Sequence, residues 1–126
     1  MAKRLRELSS SATKAVVRLR AASESLAGVV ETVTFGNPTF KVNQKTIAVV
    51  DRYDERECLW LRVSPNERGL LLDQLGWFPS PYDPKRAALC CTLDHFDWRR
   101  LKPLLRQSYD LALSQGTSSR KIQRES

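Results

Sequence analysis

The stretch Phe35–Val63 constrains what this chain can fold into more than any other. Residues 35–42 read Phe-Gly-Asn-Pro-Thr-Phe-Lys-Val, residues 46–53 Thr-Ile-Ala-Val-Val-Asp-Arg-Tyr and residues 58–63 Cys-Leu-Trp-Leu-Arg-Val. Each run alternates or is β-branched, and turn-forming or wholly charged residues separate the runs, so the pattern predicts strands joined by short turns. Strands connected that tightly must be antiparallel. Thr39 and Lys41 fall opposite Phe40 and Val42, and Cys58, Trp60 and Arg62 fall opposite Leu59, Leu61 and Val63. Thr46 to Asp51 is apolar on both faces, as a central strand is.

Helical periodicity flanks this meander. Leu8, Ala12, Ala15, Val16, Leu19 and Ala22 form one stripe, predicting a helix from about Ser10 to Ser25. Glu31–Phe35 predicts a strand with Val33 and Phe35 on one face, followed by a Gly36-Asn37-Pro38 turn. Asn43-Gln44 is the expected turn of the next hairpin. Ser64, Pro65 and Glu67 match a capping box, with Leu70, Leu71 and Leu75 as the buried face of the helix that follows. Residues 77–84 hold three prolines and three aromatics and predict an ordered loop; Ala87–Leu93 predicts the last strand. Asp97 caps a final helix, with a Phe96–Leu101 staple and with Pro103 bending its first turns.

The expected architecture is α+β in two layers: an antiparallel sheet of about five strands with helices on one face, in the order α-β-β-β-β-α-β-α. A length of 126 residues suits one domain, expected over residues 1–113 with 1–7 frayed and 114–126 a disordered basic tail. No apolar run approaches the roughly 18 residues of a membrane span. The start lacks the h-region of a secretory signal; a basic, Ser-containing, acid-poor start also suits a transit peptide, but this helix is expected to be needed for the core. Cys58, Cys90 and Cys91 sit in apolar strand sequence, so reduced structural thiols and a cytoplasmic location are expected.

The net charge of +7 is unevenly placed: residues 1–20 and 114–126 carry the excess, and residues 21–113 sum to zero. Terminal cations (Lys3, Arg4, Arg6, Arg120, Lys121, Arg124) and the helix cations Lys14, Arg18 and Arg20 are therefore the expected long-range attraction for a polyanion. Lys41, Arg62, Lys85 and Arg86 are the candidates on the body. Trp60 between cations is a candidate nucleic-acid or protein contact. A Cys91–His95 nucleophile–base pair and a Cys90/Cys91/His95 metal site both lack supporting spacing, and no glycine-rich phosphate loop exists, so neither enzyme, metal nor cofactor is expected.

Residues 35–42, Asp51-Arg52-Tyr53, residues 58–63, Tyr82-Asp83-Pro84-Lys85-Arg86, Phe96-Asp97-Trp98 and residues 104–109 (Leu-Leu-Arg-Gln-Ser-Tyr) together resemble the MmcQ/YjbR family of small bacterial proteins, over about residues 20–113. Gln44, where the family usually has Gly, and Pro103 depart from its pattern. The resemblance implies an antiparallel α+β fold and a DNA-binding label that rests on fold analogy; it brings no catalytic residues. The leading expectation is weak, non-enzymatic DNA binding through phosphate contacts. The alternative is a protein-interaction or chaperone-like module using the sheet face around Trp60.

Overall fold

The computed structural model describes residues 4–81, 83 and 87–125, with residues 115–125 described by their backbone path. Helix α1 (Ser10–Ser23) leads into β1 (Val29–Thr34), β2 (Asn37–Val42), β3 (Lys45–Tyr53) and β4 (Arg56–Arg62); α2 (Pro65–Leu72), β5 (Trp77–Pro79), β6 (Ala88–Thr92) and α3 (Leu101–Glu125) follow. The six strands form one antiparallel sheet in the order β1-β2-β3-β4-β6-β5, so β6 lies between β4 and β5.

Two-residue turns close the hairpins. Phe35-Gly36, Asn43-Gln44 and Asp54-Glu55 all have positive φ at both positions, the handedness that matches strand twist. Phe35 therefore belongs to a turn and not to the strand: it is 98% exposed, while Asn37 and Pro38, expected in the turn, begin β2. The register shifts between Phe40 and Lys41, which pair with Ala48 and Thr46, leaving Ile47 as the extra residue of a bulge.

The alternation sorts the sheet into two faces. Phe40, Val42, Ala48, Val50, Leu59, Leu61, Leu89 and Cys91 join Ala12, Ala15, Val16 and Leu19 of α1 and Leu101, Leu104, Leu105 and Ala112 of α3 in one core. This helix-covered face supplies most of the apolar burial that stabilises the domain.

Three local expectations are corrected. Residues 77–79 form a sixth strand, because Trp77, Phe78 and Pro79 pair with Cys91, Cys90 and Leu89 at the sheet edge, where a proline is tolerated. In α2 only Leu71 is buried; Leu70 and Leu75 are exposed, since this short helix presents a single turn to the core. Pro103 does not interrupt a helix: a 3-10 turn (Trp98–Arg100) capped by Asp97 precedes α3, and Pro103 falls in the first turn of α3, where no N–H is needed. α3 keeps its helical path through Glu125, over residues whose composition predicts a tail.

One turn of α3 fixes the helix against the sheet. Ser108, fully buried, donates to the Ile47 carbonyl at the bulge (2.6 Å) and accepts from the Arg62 N–H (3.0 Å). Gln107 accepts from the Ser64 N–H at 3.1 Å, and Tyr109 donates to the Ala27 carbonyl at 2.6 Å. The Ser64 hydroxyl caps α2 by accepting from Glu67 N–H at 3.3 Å. The reciprocal half of the expected capping box is thus supplied by Gln107, and Glu67 instead lies 3.9 Å from Arg100.

Candidate nucleic-acid interface

The cations named from the sequence fall into separate settings. On α1, the i, i+4 pair Lys14 and Arg18 is exposed, and Arg18 faces the start of α3. The Arg18 guanidinium carbon lies 4.9 Å from the Trp98 ring centre. Arg18, Ala21, Ala22, Trp98, Arg99, Leu101 and Lys102 line an open groove of about 420 Å³ between α1 and the start of α3. Arg99 and Lys102 are exposed there, so three cations, Arg18, Arg99 and Lys102, border one groove. Asp97 largely offsets the Arg99 charge, as Glu31 of β1 does for Arg20: it accepts from Arg99 Nε at 3.0 Å and from Nη2 at 3.2 Å, and that contact holds the Asp97 carboxyl below its ordinary range.

Two neighbours hold Trp98 in this groove. The Phe96 ring packs against it in an edge geometry at 4.7 Å between centres, and the Arg18 guanidinium lies over the ring. Phe96 is buried in the core, so the Trp98 ring is fixed from beneath. A guanidinium resting on an indole is held in place and remains charged.

Arg20 stands apart. Its guanidinium grips Glu31 on β1 in a two-point contact, Nε to Oε1 at 2.7 Å and Nη2 to Oε2 at 2.9 Å. That hydrogen bond raises the Arg20 pKa above its usual value and neutralises the charge locally. Arg6 is likewise committed to the fold. It donates to Asn37 Oδ1 (2.6 Å), Glu57 Oε2 (3.2 Å) and the Val50 carbonyl (3.2 Å), tying the N-terminal segment across the sheet. Ser9, the N-cap of α1, bonds to the same Glu57 carboxylate.

The other sheet face gathers Lys41, Trp60 and Arg62, as the alternation predicts. Thr39, Val49, Trp60, Cys90 and Phe78 form one row across five strands. Arg62 is half-buried, its Nε donates to the Thr46 carbonyl at 2.7 Å, and its guanidinium carbon is 6.0 Å from the Trp60 ring centre. Thr46 in turn pairs with Lys41 in the ladder. Burial pushes the Arg62 pKa down, with the Asp83 charge working against it. Next to this row, Asp51 accepts from Asn37 Nδ2 (3.0 Å), the Arg52 N–H (2.8 Å) and the Tyr53 hydroxyl (2.7 Å). Burial, reinforced by Asp51, pushes the Tyr53 phenol well up despite its contact with Ser80. Lys85 and Arg86 lie outside the described residues.

All three cysteines are free and buried. Burial pushes the Cys91 thiol up to about 12, and the hydrogen bond to Cys90, together with burial, raises Cys58 further, so both are held as thiols and are poor nucleophiles. His95 Nδ1 sits 2.9 Å from Thr92 Oγ1 and 3.4 Å from Asp94 Oδ1. Gly76 adjoins it: with φ at +94°, an added Cβ would come within 2.5 Å of His95 Cβ. Among the described residues no group of three or more His, Cys, Asp or Glu side chains is placed to hold a metal ion, and no helix is long and apolar enough to cross a membrane.

The family model named YjbR matches residues 24–111, which contain β1 through the packed part of α3. The chain belongs to the YjbR family. A crystal structure of a Deinococcus radiodurans protein with a DUF419 domain is similar to this YjbR chain, with 30% identity, a TM-score of 0.64 and 78% of each chain covered. Comparison with curated proteins gives no match. The matched span takes in Trp98, Arg99 and Lys102 of the groove, while Lys14 and Arg18 precede it. Arg99 and Lys102 were not singled out from the sequence, because nothing local signals that they meet a helix near the other end of the chain.

Proposed function

We propose that this YjbR protein binds double-stranded DNA through its phosphates, without base-specific contacts, along the groove between α1 and α3. The observation that carries this reading is the convergence of Arg18 and Lys102 on one groove, with Lys14 one turn before Arg18 on α1 and Arg99 ion-paired to Asp97 at the rim. Convergent cations on a surface displace condensed counterions from a polyanion, which is the main source of sequence-independent affinity. Arg18 lies over the Trp98 ring, which leaves less of it free for the base stacking that single-strand binding uses and so favours duplex. The reading with a protein partner on the Trp60 face has less support, because Arg62 there is already bound to the Thr46 carbonyl.

Fluorescence anisotropy with labelled duplex and single-stranded DNA over a salt series tests this. Each phosphate contact contributes about 0.9 to the slope of log affinity against log salt on a duplex. Replacing Lys14, Arg18 and Lys102 together by Gln is expected to flatten the slope by about 2.7, a difference of roughly 40-fold in affinity over a fourfold salt change. An unchanged slope in that variant, or no duplex binding at low salt, refutes the proposal.

A further inference from the structure

Four of the exposed large apolar side chains gather along one edge of the molecule. Val30 (58% exposed) lies in β1, Phe35 (98%) at its end, Val17 (55%) on the neighbouring side of α1 and Leu5 (46%) beside them. Leu5, Val17 and Val33 also line a small groove of about 150 Å³ against that edge. The two sheet edges differ. The β5 edge is three residues long and ends in Pro79, which blunts pairing. The β1 edge, Val-Val-Glu-Thr-Val-Thr, is six residues long, in unbroken register with β2, and carries neither Pro nor Lys. Among the described residues no main-chain hydrogen bond reaches β1 from any element other than β2.

We infer that β1 is a self-pairing edge: a second copy of this chain adds its own β1 antiparallel to the first, continuing the sheet across a twofold axis. The inference stands independently of DNA binding. The register follows from the turn. A two-residue turn makes Thr34–Asn37 a hydrogen-bonded pair, so Thr32 and Val30 bond inward, while Val29, Glu31 and Val33 direct their main-chain groups outward. A twofold axis through Thr32 sets Glu31 opposite Val33 of the second copy, and the reverse, with outward donors and acceptors matched. It also sets Thr32 against its own mate, a favourable cross-strand pair, and Phe35 against Val29. An axis through Glu31 would also match the hydrogen bonds, but it places two carboxylates directly opposite each other. The Arg20–Glu31 pair shows that α1 lies on the Glu31 face, so the two α1 helices meet along the same axis with Val17 at the seam.

Each copy carries a net +7, so repulsion opposes association at low salt and the dimer strengthens as salt rises. This is the opposite salt response to DNA binding. Sedimentation velocity of the full chain, from micromolar to millimolar protein at low and high salt, is expected to show a species of twice 14.4 kDa that grows with both. Val33→Pro removes an outward N–H and leaves the inward ladder to β2 intact. Val17→Lys, at an exposed position that the fold does not need, sets two like charges across the axis. Each is expected to weaken the dimer tenfold or more while far-UV circular dichroism stays unchanged. If Val33→Pro fails to fold, Val17→Lys alone decides. A monomer throughout the range at high salt, or a dimer indifferent to Val17→Lys, overturns the inference.

Discussion

Replacing Ser108 by Ala removes one oxygen and should cost more than a typical surface or helix substitution. Ser108 is fully buried, and its hydroxyl serves two main-chain groups on different strands, the Ile47 carbonyl and the Arg62 N–H. The Ile47 carbonyl sits at the bulge between β2 and β3, where the ladder cannot take it up. Each buried polar group left without a partner costs about 1–3 kcal/mol, so Ser108→Ala, which strips two, is expected to lower stability by about 2–6 kcal/mol. For a domain of this size that corresponds to about 6–24 °C in Tm. Urea unfolding followed by tryptophan fluorescence should show a lower midpoint at constant slope, because the surface exposed on unfolding is unchanged. Ser114→Ala, at an exposed position of the same helix, is the control and should stay within about 0.5 kcal/mol of wild type. A Ser108→Ala loss no larger than that control refutes the argument that the two strands depend on this hydroxyl.

The α2 cap is shared between Ser64 and Gln107, so Ser64→Ala and Gln107→Ala should each lower stability, Ser64→Ala by about 0.5–2 kcal/mol, and their double-mutant cycle in urea should show coupling. Burial opposes ionisation of Glu57, but the bonds from Ser9 and Arg6 outweigh it and hold its pKa below the ordinary 4.5. A carboxyl depressed in the folded state stabilises at neutral pH, and that contribution is lost as pH falls through the folded pKa. Thermal unfolding against pH should therefore show a smaller loss below 4.5 in Glu57→Gln than in wild type, with the exposed Asp97 contributing alike to both.

The hairpins were legible because alternation and turn residues are local signals: the pairing of Phe40 with Val42 and of Leu59 with Leu61 on the core face follows from period two alone. The edge strand β5 was not, since three residues ending in Pro79 become a strand only through the neighbouring β6. Phe35 was misplaced by one position, because a bulky residue at positive φ defies the preference for Asn or Gly there. Leu70 and Leu75 fit a helical stripe, and only the packing of α2 decides which leucine is inside. For the candidate interface, Lys14 and Arg18 were visible as an exposed pair on α1, but Arg99 and Lys102 join them through tertiary packing that periodicity cannot encode. The ion pairs that take Arg6 and Arg20 out of the pool of available cations join residues separated by 51 and 11 positions and were equally hidden.

Residues Gln107, Ser108 and Tyr109 reach segments 43, 61 and 82 positions back along the chain. Three successive side chains on a helix point in directions about 100° apart, so these contacts act like the teeth of a key cut for one lock. Sliding α3 by a single residue, or turning it by one position, disengages all three at once. Helix α3 is therefore indexed to the sheet and has no neighbouring stop to click into. Signals that travel by helix sliding or rotation have no purchase on this part of the molecule, and any change of shape on meeting a partner must be carried by α1, α2 or the hairpin turns.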